Sequence, residues 1–139
     1  MISVLKTLIE IKKMLATVET RKLLWSNPRP NSEFSSQSLS IDGNFDEYII
    51  EWSDYMGENA RSSLSLKKGE SVKFCATSIG GGGTNFWTNG RTVASSGSGS
   101  SHRITFGAGT YKSQGNTSVV TTNAAMIPVR IYGINKLGN

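Results

Sequence analysis

The chain has 139 residues, a length that suits one ordinary domain with a single core. Its one cysteine, Cys75, excludes a disulfide within the chain, and no apolar run approaches the roughly 20 residues that a transmembrane helix needs. The net charge is +5, but the basic residues are dispersed or in pairs and do not interleave with aromatic residues, so composition argues against nucleic-acid binding.

Apolar residues recur at alternating spacings of three and four through the first eighteen positions. They are Met1, Val4, Leu8, Ile11, Leu15 and Val18. This heptad pattern predicts a helical oligomerisation stalk over residues 1–22. Additional apolar residues at Ile2, Leu5 and Ile9 widen the stripe, which favours a trimeric coiled coil over a dimer.

Two other interpretations of this segment are open. The helix could pack as a single amphipathic element on the chain's own β domain, which would leave a monomer. A signal peptide is disfavoured, because charged residues interrupt every apolar stretch.

Downstream, the prolines of the segment 27–31 fix the backbone in extended or turning conformations, so the helix cannot continue past this point.

From residue 23 onward the helical period gives way to short alternating runs rich in Ser, Gly and Thr. Strands are predicted near residues 21–25, 39–41, 48–52, 64–66, 72–76, 103–106, 110–111, 119–120 and 127–134. The runs 64–66 and 72–76 predict a hairpin, and the Gly/Ser-rich segment 79–101 predicts long loops around one short strand. The chain is therefore predicted to be mainly β, with an antiparallel, jelly-roll-like β-sandwich head over residues 23–139.

Catalytic and metal-binding signals are weak throughout. The single histidine, His102, lies among serines without an acidic neighbour, which predicts an exposed loop residue and not a catalytic base. The glycines 80–83 lack the Lys-Ser/Thr pair of a phosphate-binding loop. Alternation along a strand would scatter the acidic residues Asp42, Asp46, Glu47, Glu51, Asp54 and Glu58 over both faces of a sheet. We expect no enzyme, no metal site and no cofactor, and a polysaccharide hydrolase is disfavoured because no acid pair is recognisable.

One segment combines aromatic, amide and guanidinium groups between glycines. Its candidate ligand-binding residues are Asn85, Phe86, Trp87, Asn89 and Arg91. Aromatic faces and planar amides suit contact with a carbohydrate or a protein surface. The alternative is that Phe86 and Trp87 fill the core of the head or a contact between subunits.

Four segments in a fixed order carry a resemblance to a known group of proteins. They are Leu24–Pro28, Phe45–Trp52, Ser101–Phe106 and Ile127–Ile134, of which the last is the most specific. With them, the region from Leu23 to Lys136 resembles the C-terminal β-sandwich head of phage and prophage tail-fibre or related virion appendage proteins. The resemblance implies trimeric heads displayed on a virion, and it implies no catalytic residues.

These observations lead to a functional expectation. The chain is expected to be a virion structural protein, a homotrimer whose N-terminal helix docks onto other virion proteins and whose heads contact the host surface, where a glycan is the candidate ligand. The alternatives are an adaptor or decoration protein of the capsid or tail without a host ligand, and a free carbohydrate-binding module. Because the chain starts at its own methionine, we expect it to be complete at 139 residues and to form a small appendage.

Overall fold

The computed structural model describes residues 2–57, 61–80 and 85–136, and it is mainly β with one helix at the N-terminus. The helix α1 spans Ile2–Thr17. The strands are β1 (Glu19–Ser26), β2 (Gln37–Asp42), β3 (Glu47–Tyr55), β4 (Arg61–Lys67), β5 (Ser71–Gly80), β6 (Asn85–Ser98), β7 (Ser101–Ser113), β8 (Val120–Thr121) and β9 (Ala125–Lys136). The predicted N-terminal helix and the mainly β class are confirmed.

The helix ends earlier than the predicted stalk. Backbone pairing of β1 with β9 begins at Glu19, opposite Lys136, so the chain must be extended from residue 19 onward. Residues 19–22, predicted as part of the stalk, therefore belong to a sheet. Val18, predicted as a seam residue, lies between helix and strand, where its N–H donates to the carbonyl of Leu15 at 3.1 Å. Met1 lies outside the described residues.

The strands form two antiparallel sheets. The first has the order β1-β9-β3-β4, and the second has the order β2-β7-β6-β5, with β8 paired to the end of β7. A register shift between Leu23 and Trp25 marks a bulge in β1. Because of this bulge, the consecutive residues Leu24 and Trp25 are both half-buried and both pack against the core, which a regular strand would not allow.

Side chains from both sheets meet in one hydrophobic core. Trp52 of the first sheet contacts Phe74 and Phe106 of the second, with ring centroids 5.8 and 5.6 Å apart. Fully or nearly fully buried members include Tyr48, Ile50, Ile127 and Ile131 from the first sheet, and Ile41, Val93, Ile104 and Phe106 from the second. The two sheets thus share the burial of their inner faces, which is the main source of stability for a domain of this size.

The predicted hairpin over residues 64–76 is wrong. β4 pairs with β3 in the first sheet, whereas β5 pairs with β6 in the second, so the turn between them is a corner that crosses from one sheet to the other. Ser95 holds this corner, because its hydroxyl donates to the carbonyl of Lys67 and accepts from the N–H of Gly69, each at 2.8 Å. Alternation and turn residues are the same for a hairpin and a corner, so the sequence pattern could not separate them.

The predicted loops over residues 79–101 are also largely wrong. β6 runs for 14 residues from Asn85 to Ser98 and pairs on both sides, with β5 and with β7. Backbone pairing with two neighbours compensates for the low strand propensity of its Gly and Ser residues. His102, predicted to be an exposed loop residue, lies on β7 and is 2% exposed, with its ring beside Tyr48.

Gly133 provides a test of the packing on β9. A Cβ atom at this position would clash with the ring of Phe45, which covers the glycine. We expect Gly133→Ala to lower the free energy of unfolding by about 1–3 kcal/mol in urea titrations, because the ring must move. Gly107→Ala is the matched control, since its nearest neighbour would be at an ordinary 3.4 Å. Equal stability of the two variants would contradict this packing.

Candidate functional site

The most exposed apolar surface lies on α1. Every residue from 3 to 15 is exposed, including the predicted seam residues Val4, Leu8, Ile11 and Leu15. Leu8 is 58% exposed, and no residue of α1 is a member of the described core cluster. The alternative in which the helix packs its apolar face on its own β domain is therefore wrong for the described residues. In the described part of the chain, α1 is not long and apolar enough to cross a membrane.

The predicted ligand residues do not form one exposed group. Asn85 and Phe86 are exposed at the start of β6 and Trp87 is half-buried, whereas Asn89 and Arg91 are completely buried. Alternation along β6 places Asn85, Trp87, Asn89 and Arg91 on one face of the sheet and Phe86 on the other. Along the first face, burial increases from the exposed start of the strand to its interior. The expectation that glycines expose all five residues in a loop is wrong, and Arg91 offers no surface to a ligand.

Arg91 reaches instead into the interior between the sheets. Its guanidinium donates five hydrogen bonds to four backbone carbonyls, at distances of 2.7–3.3 Å; the acceptors are those of Phe34, Gly107, Ala125 and Met126. Burial lowers the pKa of Arg91 to about 10, so the group is still charged at neutral pH. Among the described residues no carboxylate pairs with it; backbone carbonyls solvate the charge, and the ring of Phe34 lies 5.4 Å from the guanidinium carbon.

Two features of the backbone accommodate this guanidinium, one by leaving space beside it and one at a residue that supplies an acceptor. A Cβ atom on Gly109 would lie 2.8 Å from Nη2 of Arg91, so a side chain there would displace it. Met126 adopts a φ of 49°, which is unusual for a residue other than glycine, and Arg91 bonds to the carbonyl of this same residue. Arg91 therefore connects β6 with the middle of β7, with the start of β9 and with the segment around Phe34.

The neighbouring interior positions are polar as well. The amide nitrogen of Asn89 lies 3.4 Å from the hydroxyl of Ser78, and its carbonyl oxygen has no hydrogen-bond partner among the described residues.

Phe86 points outward opposite Ile79 of β5, and these two form an exposed apolar pair near the end of the β5–β6 pair of strands. Whether Asn85, Phe86 and Trp87 contact a ligand stays a prediction.

Open grooves lie on the described part of the head. One, of about 380 Å³, lies over the ion pair between Glu51 and Arg130, whose charged atoms are 3.2 Å apart. Another, of about 260 Å³, lies on the outer face of the second sheet beside Lys73 and Lys112. A further groove, of about 410 Å³, is here called the β1–β2 groove; its lining includes Trp25, Asn27, Arg29, Glu33, Gln37 and Leu39.

The sequence analysis did not select the residues of the β1–β2 groove. The available signal was a tryptophan near a strand end, with Asn27 two positions later and prolines at positions 28 and 30. Such a segment combines an aromatic face with a backbone of restricted freedom. The sequence analysis used it for the entry strand, the turn and the family resemblance, and not as a binding site.

Metal-ligating side chains do not cluster in the described residues. No three His, Cys, Asp or Glu side chains are close enough there to hold a metal ion, and Glu58 lies outside the described residues. The described surface offers an exposed apolar helix and open grooves. No family model, no curated protein and no solved structure matches the chain.

Proposed function

We propose that the protein is a homotrimeric structural appendage of a bacteriophage virion that attaches to the host surface. In this proposal three N-terminal helices form a coiled coil and dock onto other virion proteins, and three jelly-roll-like β-sandwich heads face outward. The virion location rests on the resemblance of four sequence segments to tail-fibre heads; they are Leu24–Pro28, Phe45–Trp52, Ser101–Phe106 and Ile127–Ile134. Assembly rests on one observation, the exposed apolar face of α1.

The chemistry of that face favours three or four helices over two. The spacing places Leu8 and Leu15 at a positions of the heptad, with the β-branched residues Val4 and Ile11 at d. Leucine at a with isoleucine at d favours trimers or tetramers, whereas the reverse arrangement favours dimers. Leu5 and Ile9, which are also exposed, extend the face sideways, as a helix with two neighbours requires.

The energetics require that the heads assist. A helix of 16 residues is about 24 Å long, and so short a helix is marginal in water by itself. Burial of each large apolar side chain contributes about 1.5–3 kcal/mol. Association also costs translational and rotational freedom. We therefore expect the four seam residues in α1 to offset this cost only when the heads fix the ends of the helices. The direct connection of α1 to β1 provides such an anchor.

The solution mass of the full chain tests the assembly. We expect light scattering to give three times 15.0 kDa, or about 45 kDa. A mass of 15.0 kDa over the micromolar range would contradict self-association. A dimer or tetramer would contradict the proposed trimer while keeping the helix as the association device.

A second candidate is an adaptor or decoration protein that packs against neighbouring virion subunits. It is favoured by exposed apolar residues on the head itself: Ile79, Phe86, Val119 and Val120. Adhesion of the fluorescently labelled chain to intact bacterial cells distinguishes the two. Attachment predicts adhesion that weakens when the trimer is disrupted, because three linked sites gain avidity of roughly 10² or more. An adaptor predicts no adhesion to any strain tested.

A further inference from the structure

The β1–β2 groove is built on an unusually well-fixed segment of backbone. The N–H of Asn27 donates to the carbonyl of Val129, and its side-chain amide donates to the carbonyl of Pro128, each at 2.9 Å. The side-chain oxygen of Asn27 accepts from the N–H of Arg29, also at 2.9 Å. With prolines on both sides of Arg29, this segment has little freedom to lose when a ligand binds.

The apolar wall of the groove is fixed by packing against the core. Trp25 is half-buried, and its ring packs edge-on against Phe34 with centroids 6.1 Å apart. Phe34 is fixed in turn, because Arg91 bonds to its carbonyl at 2.9 Å and its own N–H donates to the carbonyl of Asn123 at 2.9 Å. The indole thus presents a fixed aromatic surface, which Leu39 extends from β2.

The rim of the groove carries polar groups of complementary kinds. Arg29, Glu33 and Gln37 line it and are exposed. A guanidinium donates, a carboxylate accepts and an amide does both, which is the set needed to bond adjacent hydroxyl groups. The charges of Arg29 and Glu33 cancel, so the rim does not select a charged ligand.

From these observations we infer that the β1–β2 groove binds a neutral saccharide, with Trp25 against the apolar face of a pyranose ring and Arg29, Glu33 and Gln37 bonded to its hydroxyls. The volume of about 410 Å³ is within the range of small-molecule sites, which runs from roughly 300 to 1,000 Å³. This inference deepens the attachment function proposed above. It rests on that proposal only for the host surface as the source of the sugar.

The three tryptophans of the chain allow a direct test. The indole N–H signals of the 15N-labelled full chain are assigned with single Trp→Phe variants and followed during titration with lactose, maltose, cellobiose and diacetylchitobiose. We expect at least one of these sugars to shift the signal of Trp25. The signal of Trp52 should stay fixed, because Trp52 is completely buried in the core.

The indole N–H signal of Trp87 separates this groove from the ligand site predicted on β6. A titration that moves Trp87 in place of Trp25 would assign binding to β6 and overturn the inference. If none of the four sugars moves Trp25, the groove is not a site for neutral saccharides. Shifts of all three signals together would indicate a global change and would also count against it.

Variants of the rim add a measure of affinity. Glu33→Ala and Gln37→Ala are each expected to weaken binding about tenfold, because each removes a hydrogen bond to the sugar. Glu19→Ala is the matched control, since Glu19 is an exposed glutamate at the other end of β1. The titration is repeated on the Leu8→Glu, Leu15→Glu variant of the helix. Unchanged affinity per head in that variant separates a failure of assembly from a failure of saccharide binding.

Discussion

Replacing Leu8 and Leu15 together by glutamate is expected to convert the proposed trimer into monomers, with a fall in mass from about 45 kDa to 15.0 kDa. Each substitution removes about 1.5–3 kcal/mol of apolar burial and places a charge at the centre of the seam, three times in a trimer. The heads should stay folded, because both leucines are exposed on the single chain. Light scattering and the dispersion of the head's NMR signals measure the two effects separately.

The same helix supplies the control. Lys6 and Lys13 have the same seven-residue spacing as the two leucines but occupy the opposite face, and both are exposed. Replacing both lysines by glutamate should leave the mass of the assembly unchanged. Monomers in this control would point to general charge repulsion, and a trimer that survives both sets of substitutions would place the contact on the heads.

Arg91→Met is expected to lower the free energy of unfolding by about 3–5 kcal/mol. Methionine replaces the aliphatic part of the buried side chain but donates no hydrogen bond, so four carbonyls lose their contacts with the guanidinium. A buried polar group left without a partner costs about 1–3 kcal/mol. Urea denaturation followed by tryptophan fluorescence measures the loss.

Arg103→Met is the matched control for this variant, because Arg103 is exposed on the neighbouring strand β7. It should change stability by no more than about 0.5 kcal/mol. Arg91→Lys should fall between wild type and Arg91→Met, since an ammonium group has three donors and cannot reach all four carbonyls. A loss below about 1 kcal/mol for Arg91→Met would contradict the role that the hydrogen bonds assign to Arg91.

The sequence was sufficient for those parts of the fold that depend on local periodicity. The three-four spacing from Val4 to Leu15 predicts α1, and the alternation around Ile50 and Ile131 predicts two central strands of the first sheet. Such patterns report which face of an element is apolar, and they report it wherever the apolar face is continuous. The end of the helix was missed because Val18 suits a helical seam and a strand equally well.

The features that the sequence did not predict depend on partners distant along the chain. Arg91 looked like a ligand contact because charged residues are normally exposed, but its acceptors at Phe34 and Ala125 are 57 and 34 positions away. β6 looked like a loop because its Gly and Ser residues form a strand only when β5 and β7 pair with it on both sides. The β1–β2 groove is likewise invisible in sequence, since it forms only where two strands of different sheets lie side by side.

The connection of α1 to β1 through the single residue Val18 has a mechanical consequence. Under the attachment function proposed above, tension between a cell and a particle would enter at Glu19 and leave near Trp25, at the two ends of one strand. Seven cross-strand pairs join β1 to β9 between Glu19 and Ser26, and a pull along the strand would load them together in shear. A pull across the strand would instead break them one after another. With the helix and the groove at opposite ends of β1, the proposed load would act along the more resistant axis of the strand pair.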